Sequence, residues 1–111
     1  MWLRKGGKLT RFTAEEAREN VGKRGVVCGE VAQVYAEGPP ETTPVMLHLD
    51  RPYPDIVFSL MVMAEDRGKL PGLDETMTGK RICATGLIAE YQGTIHMRIK
   101  NAGQIADDTG P

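Results

Sequence analysis

The chain has 111 residues, of which 41% are hydrophobic and 26% charged, as is typical of a single soluble domain with one core. The formal net charge is −1, so nucleic-acid binding would require a local basic patch offset by acidic residues elsewhere. No apolar run approaches the ~20 residues of a membrane span. The two cysteines lack histidine or cysteine partners at ligand spacing. We therefore expect no membrane partner, no metal and no cofactor.

The N-terminal residues 1–11 contain several basic residues and two adjacent glycines, which predicts a flexible basic arm. They include no apolar segment of the signal-peptide type. We therefore expect a cytoplasmic location, with export as the alternative if a signal peptide is absent from this sequence. A short helix is predicted over Phe12–Asn20, because Thr13 and Glu16 have the spacing of a capping box.

Two long strands are predicted over 24–35 and 80–91, because the sequence repeats one pattern there. Each stretch opens at a Gly-Lys-Arg sequence, is rich in Val, Ile, Thr, Cys and Tyr, carries a central glycine and ends in tyrosine. The glycines indicate bulges or sharp bends, as where a strand turns a barrel corner. We expect the facing of the first strand to shift near Gly29 or Ala32.

Alternation of apolar and polar residues predicts three further strands, over Pro44–Asp50, Ile56–Met63 and Thr94–Lys100. A short helix is expected over Ala64–Leu70, because Pro71 and Gly72 stop it. A tight hairpin turn is expected at Gln92–Gly93.

The predicted order is therefore helix, three strands, short helix, two strands, which is the plan of the OB fold. We predict a mainly β protein, a five-stranded Greek-key barrel over residues 12–105, followed by a polar tail over 106–111. Five motifs occur along the chain in a characteristic order: Leu49-Asp50, Pro52-Tyr53-Pro54, Asp66-Arg67, Gly79-Lys80 and Tyr91-Gln92-Gly93. In these motifs the chain resembles small bacterial OB-fold proteins and modules of the nucleic-acid-binding type. The resemblance implies the fold more directly than the ligand.

The sequence contains no catalytic signature, such as a phosphate-cradling glycine-rich loop, a nucleophile elbow or His-Glu-x-x-His. We therefore predict a binding module that is not an enzyme. OB folds bind oligonucleotides or oligosaccharides across strands two and three and the loops beside them. Single-strand binding needs cations for the backbone and rings for the bases. The candidate residues for weak, low-specificity binding of single-stranded nucleic acid are Tyr35, His48, Ser59, Met61, Tyr91, Gln92, His96, Arg98 and Lys100.

A protein-binding surface is the alternative. Met46, Met61 and Met63 are predicted to face outward, and methionine packs adaptably against apolar partners. This interpretation predicts a protein partner or a self-associating barrel that forms a homodimer. Oligosaccharide binding is less well supported, because aromatic residues make up only 5% of the chain.

Cys28 and Cys83 lie just before the central glycines of the two long strands. Strands one and four are neighbours in the predicted barrel, so we expect the two cysteines to be close in space. Two states follow from this proximity: reduced thiols, which we favour, and a disulfide that clamps the barrel.

Overall fold

An open, mixed β-sheet of eight strands contains most of the ordered backbone, and a two-stranded ladder precedes it. A computed structural model describes residues 3–4 and 7–108. The ladder consists of β1 (Leu3–Arg4) and β2 (Gly7–Lys8). The sheet consists of β3 (Arg11–Thr13), β4 (Arg24–Tyr35), β5 (Val45–Leu49), β6 (Ser59–Val62), β7 (Arg81–Leu87), β8 (Ala89–Tyr91), β9 (Thr94–Arg98) and β10 (Ile105–Asp107).

The strand order across the sheet is β10-β7-β4-β5-β6-β9-β8, with β3 paired to β4. The β3–β4 and β6–β9 pairs are parallel and the other pairs are antiparallel. The prediction of a mainly β protein is confirmed. The sheet differs from the predicted closed five-stranded barrel in two ways. Two further strands are present, β3 paired with β4 and β10 paired with β7. The second long strand also divides at buried Ile88 into β7 and β8.

Within the described part of the chain, helical structure is confined to short segments. They are α1 (Ala14–Ala17) and three 3-10 helices, at Ala64–Lys69, Glu75–Met77 and Ala102–Gln104. The 3-10 helix at Ala64–Lys69 confirms the short helix predicted between strands three and four. None of the helices within residues 3–4 and 7–108 has the length and apolar character needed to cross a membrane.

The capping box predicted for the first helix is present. The Thr13 hydroxyl accepts a hydrogen bond from the Glu16 amide at 3.1 Å, and the Glu16 carboxylate accepts one from the Thr13 amide at 2.8 Å. The helix is shorter than the predicted span of 12–20: it begins after Thr13, because Phe12 and Thr13 belong to β3 and pair with β4, and it ends at Ala17.

β3 lies directly against β4 because residue 25 is glycine. A Cβ atom there would stand 2.7 Å from the Phe12 ring and 2.9 Å from the Thr10 carbonyl oxygen, too close for any larger residue. The same carbonyl accepts a hydrogen bond from the Val26 amide at 2.9 Å. The paired chain therefore begins before residue 12, inside the predicted arm, of which residues 1–2 and 5–6 lie outside the described residues.

The sheet also continues past the predicted boundary at residue 105. Ala106 and Asp107 pair with β7, and the Asp108 amide donates to the Arg81 carbonyl oxygen at 3.0 Å. The predicted polar tail is thus part of the sheet as far as Asp108, and residues 109–111 lie outside the described residues.

The main core lies against one face of the sheet. Leu47, Leu60 and Met97 stand side by side across β5, β6 and β9, and each is fully buried. The shift of facing predicted in the first long strand is confirmed, because the β4–β5 register slips between Val31 and Gln33. This bulge lets β4 pair with β7 along its first half and with β5 along its second half.

Cys28 lies directly opposite Cys83 in the antiparallel β4–β7 pair, so the two long stretches do run side by side. Their sulfur atoms are bonded at 2.04 Å, with the Cα atoms 4.0 Å apart. The predicted proximity is confirmed, whereas the expectation of reduced thiols was wrong. The register brings the two side chains into direct contact on one face, where a disulfide closes.

Candidate functional site

His48, Ser59 and His96 form a row across β5, β6 and β9, on the face opposite the core layer. We call this face, as it crosses β4, β5, β6 and β9, the outer face. The prediction that His48 and Ser59 are surface residues was wrong, since His48 is only 5% exposed and Ser59 is fully buried. Nδ1 of His48 lies 2.7 Å from the Ser59 hydroxyl oxygen, which gives both buried polar groups a partner.

Burial also lowers the pKa of His48, so its ring is neutral at pH 7. A buried neutral ring bonded to Ser59 is not free to stack on a base. These two residues therefore support the outer face, and His96, which is half-buried, is the member of the row that a ligand can reach.

A second row on the outer face contains Tyr35, Met46, Met61 and Arg98, one from each strand from β4 to β9. Tyr35 is 48% exposed, and the other three are half-buried. The Tyr35 hydroxyl donates to the Glu37 carboxylate at 3.3 Å, and the negative charge of Glu37 raises the pKa of Tyr35. Neighbouring strands lie about 4.8 Å apart, so the row spans about 14 Å from tyrosine to arginine.

The charge of Arg98 is offset by two carboxylates of the 3-10 helix that follows β6. Its guanidinium donates to Glu65 and to Asp66, both at 3.2 Å. Asp66 is buried, and hydrogen bonds from Lys69 and then from Arg98 hold its pKa below the usual value. Arg98 is therefore a fixed part of an ion-pair network, although its Nε atom has no hydrogen-bond partner within the described residues.

A groove of about 470 Å³ lies beside His96 and Arg98, and we call it the basic groove. Arg24 and Lys100 are exposed at its walls, and neither forms an ion pair within residues 3–4 and 7–108. No acidic residue of the described chain lines it. The lining residues are Arg24, Gly86, Leu87, Ala89, His96, Arg98, Lys100, Asn101 and Gln104.

Gln104 fixes the backbone that carries the cations of this groove. Its side-chain nitrogen donates to the carbonyl oxygens of Thr85 at 2.9 Å and Arg98 at 3.2 Å. Its side-chain oxygen accepts from the amides of Lys100 at 2.7 Å and Asn101 at 3.2 Å. Sequence reasoning missed this residue, although Asn101 and Gln104 have capping-box spacing, which was the available signal.

The remaining predicted residues lie apart from the groove. Tyr91 is 67% exposed at the tip of the β8–β9 hairpin. Gln92 and Gly93 have positive φ angles of 50° and 84°, which confirms the predicted tight turn. Neither Tyr91 nor Gln92 lines the basic groove.

Tyr53 is a further aromatic residue that the candidate set omitted. It is 72% exposed, and its amide donates to the Gln33 side chain at 2.8 Å, which holds it near the outer face beside β4. The signal was present in the Pro-Tyr-Pro motif, which we had used only for the resemblance to OB-fold proteins.

Comparison with models of known protein families and with curated proteins found no match to this chain.

Proposed function

We propose that the protein is a non-enzymatic OB-fold module that binds single-stranded nucleic acid weakly and with little sequence preference. The observation that carries this proposal is the basic groove at one end of the outer face, with the exposed rings of Tyr35 and Tyr53 toward the other end. Cations and flat rings on one surface are what single-strand binding requires.

Strand connectivity supports the OB assignment. β4, β5 and β6 form an antiparallel meander, and β9 then pairs parallel to β6. β7 pairs with β4 and β8 pairs with β9, and only Ile88 separates β7 from β8. One bent strand thus pairs with β4 at one end of the β4-β5-β6-β9 array and with β9 at the other end, which supports the partly open barrel of an OB fold.

The chemistry of the surface favours a short stretch of sugar-phosphate backbone. Arg24 and Lys100 are the cations without ion pairs in the described groove lining, so they are the groups we expect to hold phosphates. Arg98 contributes less net attraction because Glu65 and Asp66 already neutralise it. Neither phosphate contacts nor stacking rings identify a base, so sequence preference is expected to be small.

A salt titration tests this proposal. Binding of a fluorescent single-stranded 12-mer, followed by anisotropy, is expected to weaken as salt rises. Two neutralised phosphates predict a slope of about −1.4 in log K against log salt, at about −0.7 for each contact on a single strand. The variant Lys100→Met is expected to halve the slope. Absence of binding at low salt to both DNA and RNA strands would contradict the proposal.

A protein-binding face is the second candidate, and the pairing of Met46 with Met61 favours it. These half-buried side chains lie directly opposite each other beside exposed Tyr35. Self-association through this face predicts a dimer in sedimentation that the variant Met61→Glu disperses. A monomer at high concentration that still binds the 12-mer would favour the nucleic-acid function.

A further inference from the structure

Cys28, Cys83 and Asp108 meet where β4, β7 and the end of β10 run side by side. Their sulfur atoms and a carboxylate oxygen all lie within 4.8 Å of one another. The side chains are well buried, with residue exposures of 5% for Cys28 and 7% for Cys83 and a side-chain exposure of 6% for Asp108. The strand register and the bond from the Asp108 amide to Arg81 fix the backbone at all three positions.

We propose that reduction of the disulfide turns this cluster into a binding site for a zinc-class divalent cation. Two thiolates and one carboxylate are three of the four ligands that tetrahedral zinc takes, with water as the fourth. Ligand bonds of about 2.3 Å to sulfur and 2.0–2.2 Å to oxygen place donor atoms roughly 3.3–3.8 Å apart. In the observed cluster the donor atoms already lie within 4.8 Å of one another, and reduction releases the two sulfurs from their bond so that they can separate toward that spacing.

The surrounding charges fit such a centre. A divalent cation with two thiolates and one carboxylate has a net charge of −1. Arg11 lies 3.0 Å and Arg81 lies 3.5 Å from the Asp108 oxygens, and both stabilise that negative charge. A carboxylate has several lone pairs, so it can accept hydrogen bonds from a guanidinium and bind a metal at the same time. Leu9 and Val26 pack beside the sulfurs and limit their contact with water.

The chemistry is balanced in two steps. A dithiol reductant transfers two electrons and two protons to the disulfide, which becomes two thiols while the reductant becomes its own disulfide. The cation then displaces the two thiol protons and bonds to both sulfurs and to Asp108. The cross-link between β4 and β7 is therefore a disulfide under oxidising conditions and a metal bridge under reducing conditions.

The sequence predicts no zinc site, because neither cysteine has a histidine or cysteine partner at ligand spacing, and the two cysteines are 55 residues apart. The antiparallel register removes that separation, and β10 adds the third ligand at its end. The site depends on the fold and not on a local motif.

Cobalt(II) titration tests the proposal on the full chain. The protein is reduced with a phosphine, which is then removed without oxygen, and Co²⁺ is added. One equivalent is expected to give thiolate charge-transfer and tetrahedral ligand-field absorption, which Zn²⁺ abolishes. The oxidised protein and the variant Cys28→Ser with Cys83→Ser are expected to show neither band. Asp108→Asn is expected to weaken binding about tenfold or more.

Asp107→Asn is the matched control, because Asp107 is exposed on the same strand and lies outside the cluster. It is expected to bind Co²⁺ like the unaltered protein. Absence of the bands when both thiols titrate as free overturns the proposal, as does unchanged affinity in Asp108→Asn. Loss of the β-sheet circular dichroism on reduction, without recovery on addition of Zn²⁺, also overturns it.

Discussion

The two faces of the β8–β9 hairpin line grooves of similar size and opposite charge. Ala89 and His96 face each other across the hairpin and line the basic groove. The next pair, Glu90 and Ile95, lines a second groove of about 500 Å³. We call this the acidic groove, and its lining residues are Glu15, Arg18, Glu19, Val21, Ile56, Val57, Glu90, Gly93, Thr94 and Ile95.

Each groove contains one arginine that pairs with a nearby carboxylate and two charges that form no ion pair within the described residues. In the acidic groove Arg18 pairs with Glu15 at 3.1 Å, while Glu19 and Glu90 form no ion pair within the described residues. In the basic groove Arg98 pairs with Glu65 and Asp66, while the other two cations stay unpaired. The two sides of the hairpin thus carry unpaired charges of opposite sign, although the formal charge of the whole chain is only −1.

Reversing the charge of the basic groove is expected to have the largest effect. Arg24→Glu combined with Lys100→Glu replaces both unpaired cations with anions that repel phosphate. We expect binding of the single-stranded 12-mer at low salt to fall by about 100-fold or more, measured by anisotropy.

The acidic groove supplies the matched control for this charge reversal. Glu19→Gln combined with Glu90→Gln is expected to tighten binding only slightly, about threefold or less, because these carboxylates lie on the other side of the hairpin. Next, Glu19→Lys with Glu90→Lys is added to the charge-reversed protein. If this addition restores binding, the overall field and not the basic groove determines affinity.

Removal of a ring at the far end of the outer face is expected to have a smaller effect. Tyr35→Leu keeps an apolar side chain but removes the stacking surface, so affinity is expected to fall by about 1–3 kcal/mol. Tyr91→Leu is the matched control at the hairpin tip, outside the basic groove. Equal losses in the two variants would show that the outer face does not guide the strand from the groove toward β4.

The sequence was sufficient for the strands with clear patterns. The first long strand has the predicted limits of Arg24–Tyr35, because its valines and its terminal tyrosine favour a strand. The hairpin turn was equally predictable from Gln92 and Gly93, since both adopt positive φ angles. The residues within each of these elements determine its structure, so the elements can be predicted from the sequence alone.

Burial on the outer face was not predictable in the same way. Alternation correctly placed His48 and Ser59 opposite the core layer, yet both are buried there. Their burial depends on which other parts of the chain pack against that face, and the alternation of residues along one strand does not show this. The neutralisation of Arg98 has the same origin, because Glu65 and Asp66 reach it from a helix about thirty residues earlier in the chain.

The polar row that leads into the basic groove gives the smallest expected effect, a change in how stability depends on pH. Burial holds the pKa of His48 in the folded protein below the ordinary value of 6.5. As pH falls below 6.5, the unfolded chain therefore binds a proton before the folded chain does, and stability declines. The contribution of neutral His48 to the free energy of unfolding is fully present above pH 6.5. It is lost as pH falls through the pKa of His48 in the folded protein, at up to about 1.4 kcal/mol for each pH unit.

Chemical denaturation between about pH 7.5 and about pH 5 measures this decline. These limits lie roughly one unit or more on each side of the ordinary pKa of histidine. His48→Gln is expected to flatten it, because glutamine can still hydrogen-bond Ser59 and does not titrate. His96→Gln is the control in the same row, and it is expected to retain the decline because the buried ring is still present. An unchanged pH dependence in His48→Gln would mean that another group controls acid stability. In that case the buried pair of His48 and Ser59 is not the neutral support of the outer face that we infer here.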